Sequence, residues 1–383
     1  MYKEKICMRN PFIFKGYRDA EHFFDREKEL ALLLDCVKKH VDVTLIAQRR
    51  MGKTGLIHRL IDELQATNSG VTPIYVDIFA TNDFVGFNNA LTEAILRAYP
   101  ENTSVGKKFL SFVRSLRPTL SFDQLTGSVQ VQLLYQNEPE KAHTLKSLLD
   151  YLEQQGSPIL LAIDEFQQIR EYPEANLEAL LRSYVQDMHN VSFIFCGSRK
   201  HLMTDIFSNP KRPFYASTQF LMLDKIPAES YQQYIADAFA KDNRHIDSEA
   251  VEFILSWTRR HTYYTQRLCN EVFDKGGKTV TIEDVKVCCD DLLVSNEPYF
   301  LQYKQLLTDN QWNYLIAVAK EEELEKPCAN PFLKQYNIGA SAVSKRLLNA
   351  LCDKDIIMCE TTKERTFYAI SDLFFMRWLA REY

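Results

Sequence analysis

Glycine and proline are scarce, 12 and 13 of 383 residues, so long loops are few and the collagen-like and low-complexity classes are excluded. No stretch of 18 uncharged apolar residues occurs. The start MYKEKICMRNPF carries charges but no apolar leader core, so neither a membrane span nor a signal peptide is expected. No C-x-x-C pair is present and the nine cysteines are odd in number, which speaks against a zinc site and against a disulfide framework. They read as buried thiols of a reducing cytoplasm. The eight histidines show no metal spacing, and no positive surplus advertises nucleic acid or anionic lipid, since 46 Lys and Arg face 51 Asp and Glu.

What is present is an ordinary globular balance, 46% apolar and 25% charged, in a chain long enough for two to three domains. Leu30, Leu33, Leu34 and Val37 recur at helical spacing and predict an amphipathic helix over 26–39. Apolar runs at 41–47, 72–79, 158–164 and 191–197 predict strands, with helices expected after the first, near 84–97 and near 175–188. Strands alternating with helices predict an α/β fold, a parallel sheet with helices on both faces. Two alternating runs around Thr126-Gly127 predict a hairpin inserted at 118–135. After a strand-like run at 218–226, residues 228–296 have helical spacing almost throughout. Beyond 298, helices followed by two short alternating runs around Lys363-Glu364-Arg365 predict a winged helix. The expected domains are therefore 1–227, 228–297 and 298–383.

The sharpest motif is AQRRMGKT, residues 47–54, which fits G-x-x-x-x-G-K-[ST] except that Ala47 replaces the first glycine. It lies between a predicted strand and helix, as a phosphate-binding P-loop requires. The loop Arg50, Met51, Gly52, Lys53, Thr54 and Gly55 would cradle phosphate with backbone N–H groups at a helix N-terminus. Lys53 would bridge β- and γ-phosphates, and Thr54 would offer its hydroxyl to Mg²⁺. The second motif, ILLAIDEF at 159–166, ends an apolar strand in two carboxylates at the edge where the P-loop opens. Asp164 would hold the Mg²⁺ shell, and Glu165 would orient a water for attack on the γ-phosphate. The adjacent glutamate favours a hydrolase over a small-molecule kinase.

With FFDREKEL before the first helix, QRRMGKT, LLAIDEF, FIFCGSRKHLM and the C-terminal winged helix, the chain resembles the AAA+-like P-loop ATPases of the archaeal-type ATPase family, close to the signal-transducing STAND ATPases. The resemblance covers most of the chain and implies a P-loop sheet followed by a helical lid and a winged helix, with ATP as the nucleotide. It implies that Arg26 lies near the base and that Ser198 stands at the sensor position. Arg199 and Arg212 become arginine-finger candidates, in cis or from a neighbouring subunit, which leaves assembly open. Where relatives carry a Gly-His-Pro turn in the lid, this chain reads RRHTYYTQ, with His261 at the centre.

In the winged helix, 339–357 places Val343, Leu347, Leu348 and Leu351 on one face. Ser341, Ser344, Lys345 and Asn349 are expected outward, as on a DNA-recognition helix, and Lys363 and Arg365 on the wing. Residues 309–383 nevertheless hold ten Lys and Arg against eleven Asp and Glu. Contact with DNA and contact with a protein both stay open. The acidic run 321–325 is expected to be a solvated helix end or loop. The function so predicted is an Mg²⁺-dependent ATP hydrolase working as a conformational switch, with a nucleotide-dependent DNA-binding regulator of little turnover as the alternative.

Overall fold

The apolar runs of the first half become strands of one parallel sheet. The structure, a computed structural model, describes residues 10–100, 102–115, 118–122, 129–133, 135, 138–174, 176–362 and 364–383. One compact unit spans residues 15–226. In it follow α1 (Glu27–Lys38), β1 (Val43–Ala47), α2 (Lys53–Ala66), β2 (Thr72–Asp77), α3 (Phe84–Ala98), α4 (Ser104–Ser115), β3 (Pro118–Phe122), β4 (Val129–Leu133), α5 (Glu138–Glu153), β5 (Ile159–Asp164), a 3-10 turn (Phe166–Arg170), α6 (Leu177–Val185), β6 (Val191–Gly197), α7 (Lys200–Ser208) and β7 (Gln219–Leu223). The sheet order is β2-β5-β6-β1-β7, every pairing parallel.

Strand alternation decides which residues reach the site. Ile159, Leu161 and Ile163 of β5 pack into one core with α3, α5 and α6, whereas Leu160 and Ala162 pack into another with α1 and α2. Asp164 has the parity of the second set. Because Tyr75 pairs with Ala162 and Asp77 with Asp164, Tyr75 shares that face too and packs against the second core. The expected insertion appears as the antiparallel pair β3 and β4, with its Thr126-Gly127 turn outside the described residues. Helix α5 was not foreseen, although Leu145, Leu148, Leu149 and Leu152 carry the helical spacing that buries them.

A second compact unit comprises residues 10–14 and 227–383. Its elements are α8 (Ala228–Lys241), β8 (His245–Ile246), α9 (Ser248–Trp257), α10 (Thr262–Lys275), β9 (Thr279–Val280), α11 (Ile282–Leu306), α12 (Asp309–Glu321), α13 (Asn330–Gln335), α14 (Ser341–Asp353), β10 (Ile357–Thr361), β11 (Thr366–Ile370) and α15 (Leu373–Glu382). The N-terminal segment is anchored by Phe12, fully buried against Tyr234, Phe239 and Phe273. Asn10 and Asn270 fix it by donating to the Asn270 and Phe12 carbonyls.

Two expectations for the winged helix change. Ser344 is fully buried, sharing a hydrogen bond with the Tyr314 hydroxyl and donating to the Pro327 carbonyl, because its position on α14 faces α12. The outward set is Ser341, Lys345, Arg346 and Asn349. The acidic run is also no loose end. Glu322 accepts from Arg259 and Arg377, and Arg365 is paired with both Glu323 and Glu325. Leu324 between them makes two backbone hydrogen bonds with Tyr368 of β11, so the run is held as a third strand-like edge of the wing. Lys363 lies outside the described residues. The described cysteines are free thiols, and Cys328 and Cys359 are exposed rather than buried, Cys359 on the solvent side of β10.

Candidate functional site

Ala47 ends β1 in extended backbone, so a methyl where relatives have glycine meets no conformational demand. The loop then turns through left-handed backbone at Arg50 (φ 64) and Gly52 (φ 93). Glycine takes this freely, whereas at Arg50 it costs about 1 kcal/mol. Met51 is buried and Arg50 exposed. Helix α2 starts at Lys53 with no capping side chain from Gly52 and no acidic residue in its first turn, so the positive end of its dipole is left to an incoming anion. Gly55 is needed for closeness, since a Cβ there would stand 3.0 Å from the Phe23 ring.

Lys53, only 6% exposed, is paired with Asp164 Oδ1 and lies 3.3 Å from Glu165 Oε1. Asp164 is itself 2% exposed. Its Oδ1 also accepts from the Glu165 backbone N–H at 2.8 Å. Its Oδ2 accepts from the Thr54 hydroxyl at 2.8 Å and from the Tyr75 hydroxyl at 3.0 Å. One buried carboxylate is thus met by four donors, as a charge in such a place requires.

Glu165 turns away from the strand in left-handed backbone, φ 55 and ψ 39. Its Oε2 accepts from Ser198 Oγ at 2.7 Å and from Gln167 Nε2 at 2.5 Å. Burial would push this carboxyl up, but the Lys53 charge and the two donors outweigh it and hold it below the ordinary glutamate value. Gln167 is buried, and a Cβ at Gly197 would come within 2.4 Å of its Oε1, so only glycine leaves it room. Gln167 and Tyr75 are the two residues of this constellation that the motifs do not name. Behind it, burial pushes the Cys196 thiol up to about 12, leaving it inert.

The structure therefore brings Lys53, Thr54, Asp164, Glu165 and Ser198 together. Arg26 is buried at the start of α1, with Nη1 donating to Glu29 at 2.9 Å and Nη2 without a partner among the described residues. Arg199 pairs with Glu171 at 3.1 Å. Arg212 is held by Asp205 through Nε and Nη2, at 2.9 and 2.7 Å, within its own unit. His261, at the start of α10 beside Tyr264, belongs to the second unit.

The adjoining Thr54 hydroxyl and Asp164 carboxylate are hard oxygen donors that suit Mg²⁺. Among the described residues no cluster of three or more His, Cys, Asp or Glu is set to hold a metal alone. Among the described residues no helix is long and apolar enough to cross a membrane.

Residues 23–264 match the family described as "ATPase domain predominantly from Archaea", and residues 298–381 match a family described as "probable winged helix domain". Among solved structures the chain is similar to the Walker-type ATPase paby2304 of Pyrococcus abyssi, with 17% identity, a TM-score of 0.65 and 96% and 99% of the two chains covered. It is also similar to the Aeropyrum pernix ORC2 protein (14% identity, TM-score 0.54, 97% and 97% covered). A third likeness is to the Aeropyrum pernix ORC1 protein in complex with DNA (14% identity, TM-score 0.52, 94% and 93% covered). These likenesses are of fold. No curated protein matches the chain significantly.

Proposed function

The chain belongs to the family of ATPase domains predominantly from Archaea, and on that premise we propose that this P-loop ATPase works as a slow, nucleotide-driven conformational switch. The observation that carries the reading is the gathering of Lys53, Thr54, Asp164, Glu165 and Ser198 at the ends of β1, β5 and β6. ATP would lay its phosphates along the loop 50–55, and Lys53 would exchange carboxylate for phosphate oxygens. Thr54 and Asp164 would hold Mg²⁺, which supplies charge neutralisation at the β- and γ-phosphates. Glu165, kept ionised, would orient and deprotonate the attacking water, with Ser198 fixing its carboxylate. Arg26 would lie toward the base with its unpartnered Nη2, and Arg199 would be a transition-state cation.

In this reading residues 1–227 bind the nucleotide, 228–297 act as lid and 298–383 as effector, in a reducing cytoplasm. The alternative is a DNA-binding regulator with little turnover. It draws support from the exposed Lys345, Arg346 and Asn349 on α14, and from the similarly folded ORC1 having been solved with DNA. The pairing of Arg365 with two glutamates favours a protein partner instead. STAND-like signalling through such a partner is the wider form of the first reading.

Phosphate release from Mg·ATP, with and without DNA, tests both. Lys53→Ala is expected to lose ATP binding and turnover together. Glu165→Gln is expected to bind ATP normally and turn over at least a hundredfold more slowly. Tight ATP binding without turnover in the wild type would sink the hydrolytic switch, and stimulation by DNA would favour the alternative.

A further inference from the structure

Four donors meet Asp164, and they differ in what nucleotide binding asks of them. Lys53 on Oδ1 and Thr54 on Oδ2 belong to the P-loop and would turn toward phosphate and metal. The Glu165 backbone N–H on Oδ1, at 2.8 Å, and the Tyr75 hydroxyl on Oδ2, at 3.0 Å, come from outside it. One persistent donor is then left on each oxygen. Two such bonds fix both the direction and the plane of a carboxylate, whereas one leaves it free to rotate about Cβ–Cγ.

We propose that Tyr75 is a positioning residue of the nucleotide site, holding the Asp164 carboxylate in the orientation that receives a divalent cation. The proposal rests on the reading of Thr54 and Asp164 as the metal pair. Tyr75 is built for the task. It stands on β2, next to β5 in the sheet, and strand parity puts its side chain on the Asp164 face. Its ring is held by His58 of α2, with centroids 4.7 Å apart. His58 in turn stacks on Tyr17 at 5.8 Å, and the Tyr17 hydroxyl donates to Asp62. The ladder Tyr17, His58, Tyr75 therefore ties the phenol to the outer face of the P-loop helix. Outer partners that orient a ligating carboxylate change metal affinity by about 10 to 100-fold when removed.

The test is the Mg²⁺ enhancement of nucleotide affinity, measured with mant-ATP by fluorescence in Mg²⁺ and again in EDTA, on full-length wild type, Tyr75→Phe and Asp164→Asn. Tyr75→Phe keeps the ring on His58, and its melting temperature should stay within a few degrees of wild type. It is expected to leave the affinity in EDTA unchanged and to lower that in Mg²⁺ about tenfold, with half-saturation by Mg²⁺ rising in parallel. Unchanged Mg²⁺ enhancement in Tyr75→Phe, with enhancement lost in Asp164→Asn, would overturn the positioning role and leave the metal pair standing. Enhancement intact in Asp164→Asn would overturn the metal pair and the proposal with it. Equal weakening of Tyr75→Phe in Mg²⁺ and in EDTA would make the phenol a structural group only.

Discussion

In the proposed mechanism Glu165 orients the attacking water, and its placement depends on a neighbour of no obvious chemistry. Gln167 sits two positions on, inside the 3-10 turn, and donates to the same oxygen as Ser198. A left-handed glutamate at the end of a strand would otherwise sample several rotamers, and two donors on one oxygen restrict it to the face shared with Lys53. Gln167→Leu keeps most of the buried volume and removes the donor. It is expected to lower kcat about tenfold with ATP affinity unchanged, as stopped-flow phosphate release and equilibrium binding would show. An unchanged kcat would make Gln167 a packing residue. Neither Gln167 nor Tyr75 was legible in the sequence, because a glutamine after the acidic pair that ends β5 has no motif and tyrosine in a strand reads as an ordinary β-former. Tyr75 takes its meaning from a pairing with Asp164, 89 residues away, and Gln167 from sharing Glu165 Oε2 with Ser198, which lies 33 residues beyond that glutamate.

At the scale of elements, β1 carries the P-loop and is held between β6 and β7. Its entry is locked by Asp42, whose carboxylate accepts from Phe193 N–H at 2.8 Å and whose carbonyl accepts from Gln219 N–H at 2.8 Å. Burial outweighs the Phe193 bond and the Arg182 charge, and the Asp42 carboxyl is pushed up to about 6. The folded state therefore holds a proton that the unfolded chain releases near pH 4, so stability falls as pH rises from about 4 to about 6 and stays lower above. Asp42→Asn retains an acceptor for Phe193 and cannot ionise. It should raise stability at pH 7.5 by up to about 3 kcal/mol and by less at pH 5, read from urea unfolding at both pH values. No gain at pH 7.5 would show that Asp42 is well solvated. Strands β1, β5 and β6 were legible because both of their faces are buried and their apolar runs are unbroken. The buried face of α14 was misread at Ser344, since a serine in an amphipathic pattern gives no sign that Tyr314 waits to share its hydrogen bond.

For the molecule as a whole, the two hydrophobic cores that flank the sheet lie entirely within residues 15–226. A fragment of those residues should fold by itself and bind mant-ATP in Mg²⁺ within about tenfold of the full chain. Failure to give a cooperative melt would show that this unit is stable only as part of the longer chain. The order of a P-loop sheet, a helical stretch and a winged helix was readable from period and motif. The hold that Arg259 and Arg377 keep on Glu322 was not, because pairs 63 and 55 residues apart leave no local trace. A cation that neutralises a nucleic-acid phosphate frees the counter-ion condensed there, and that release makes binding steeply salt-dependent. Arg365 instead arrives already neutralised by Glu323 and Glu325. A phosphate reaching it would leave two tethered carboxylates unpaired beside the strand, where they would keep cations that binding otherwise frees, so the wing would add almost no slope to a salt titration and its carboxylates would repel the strand.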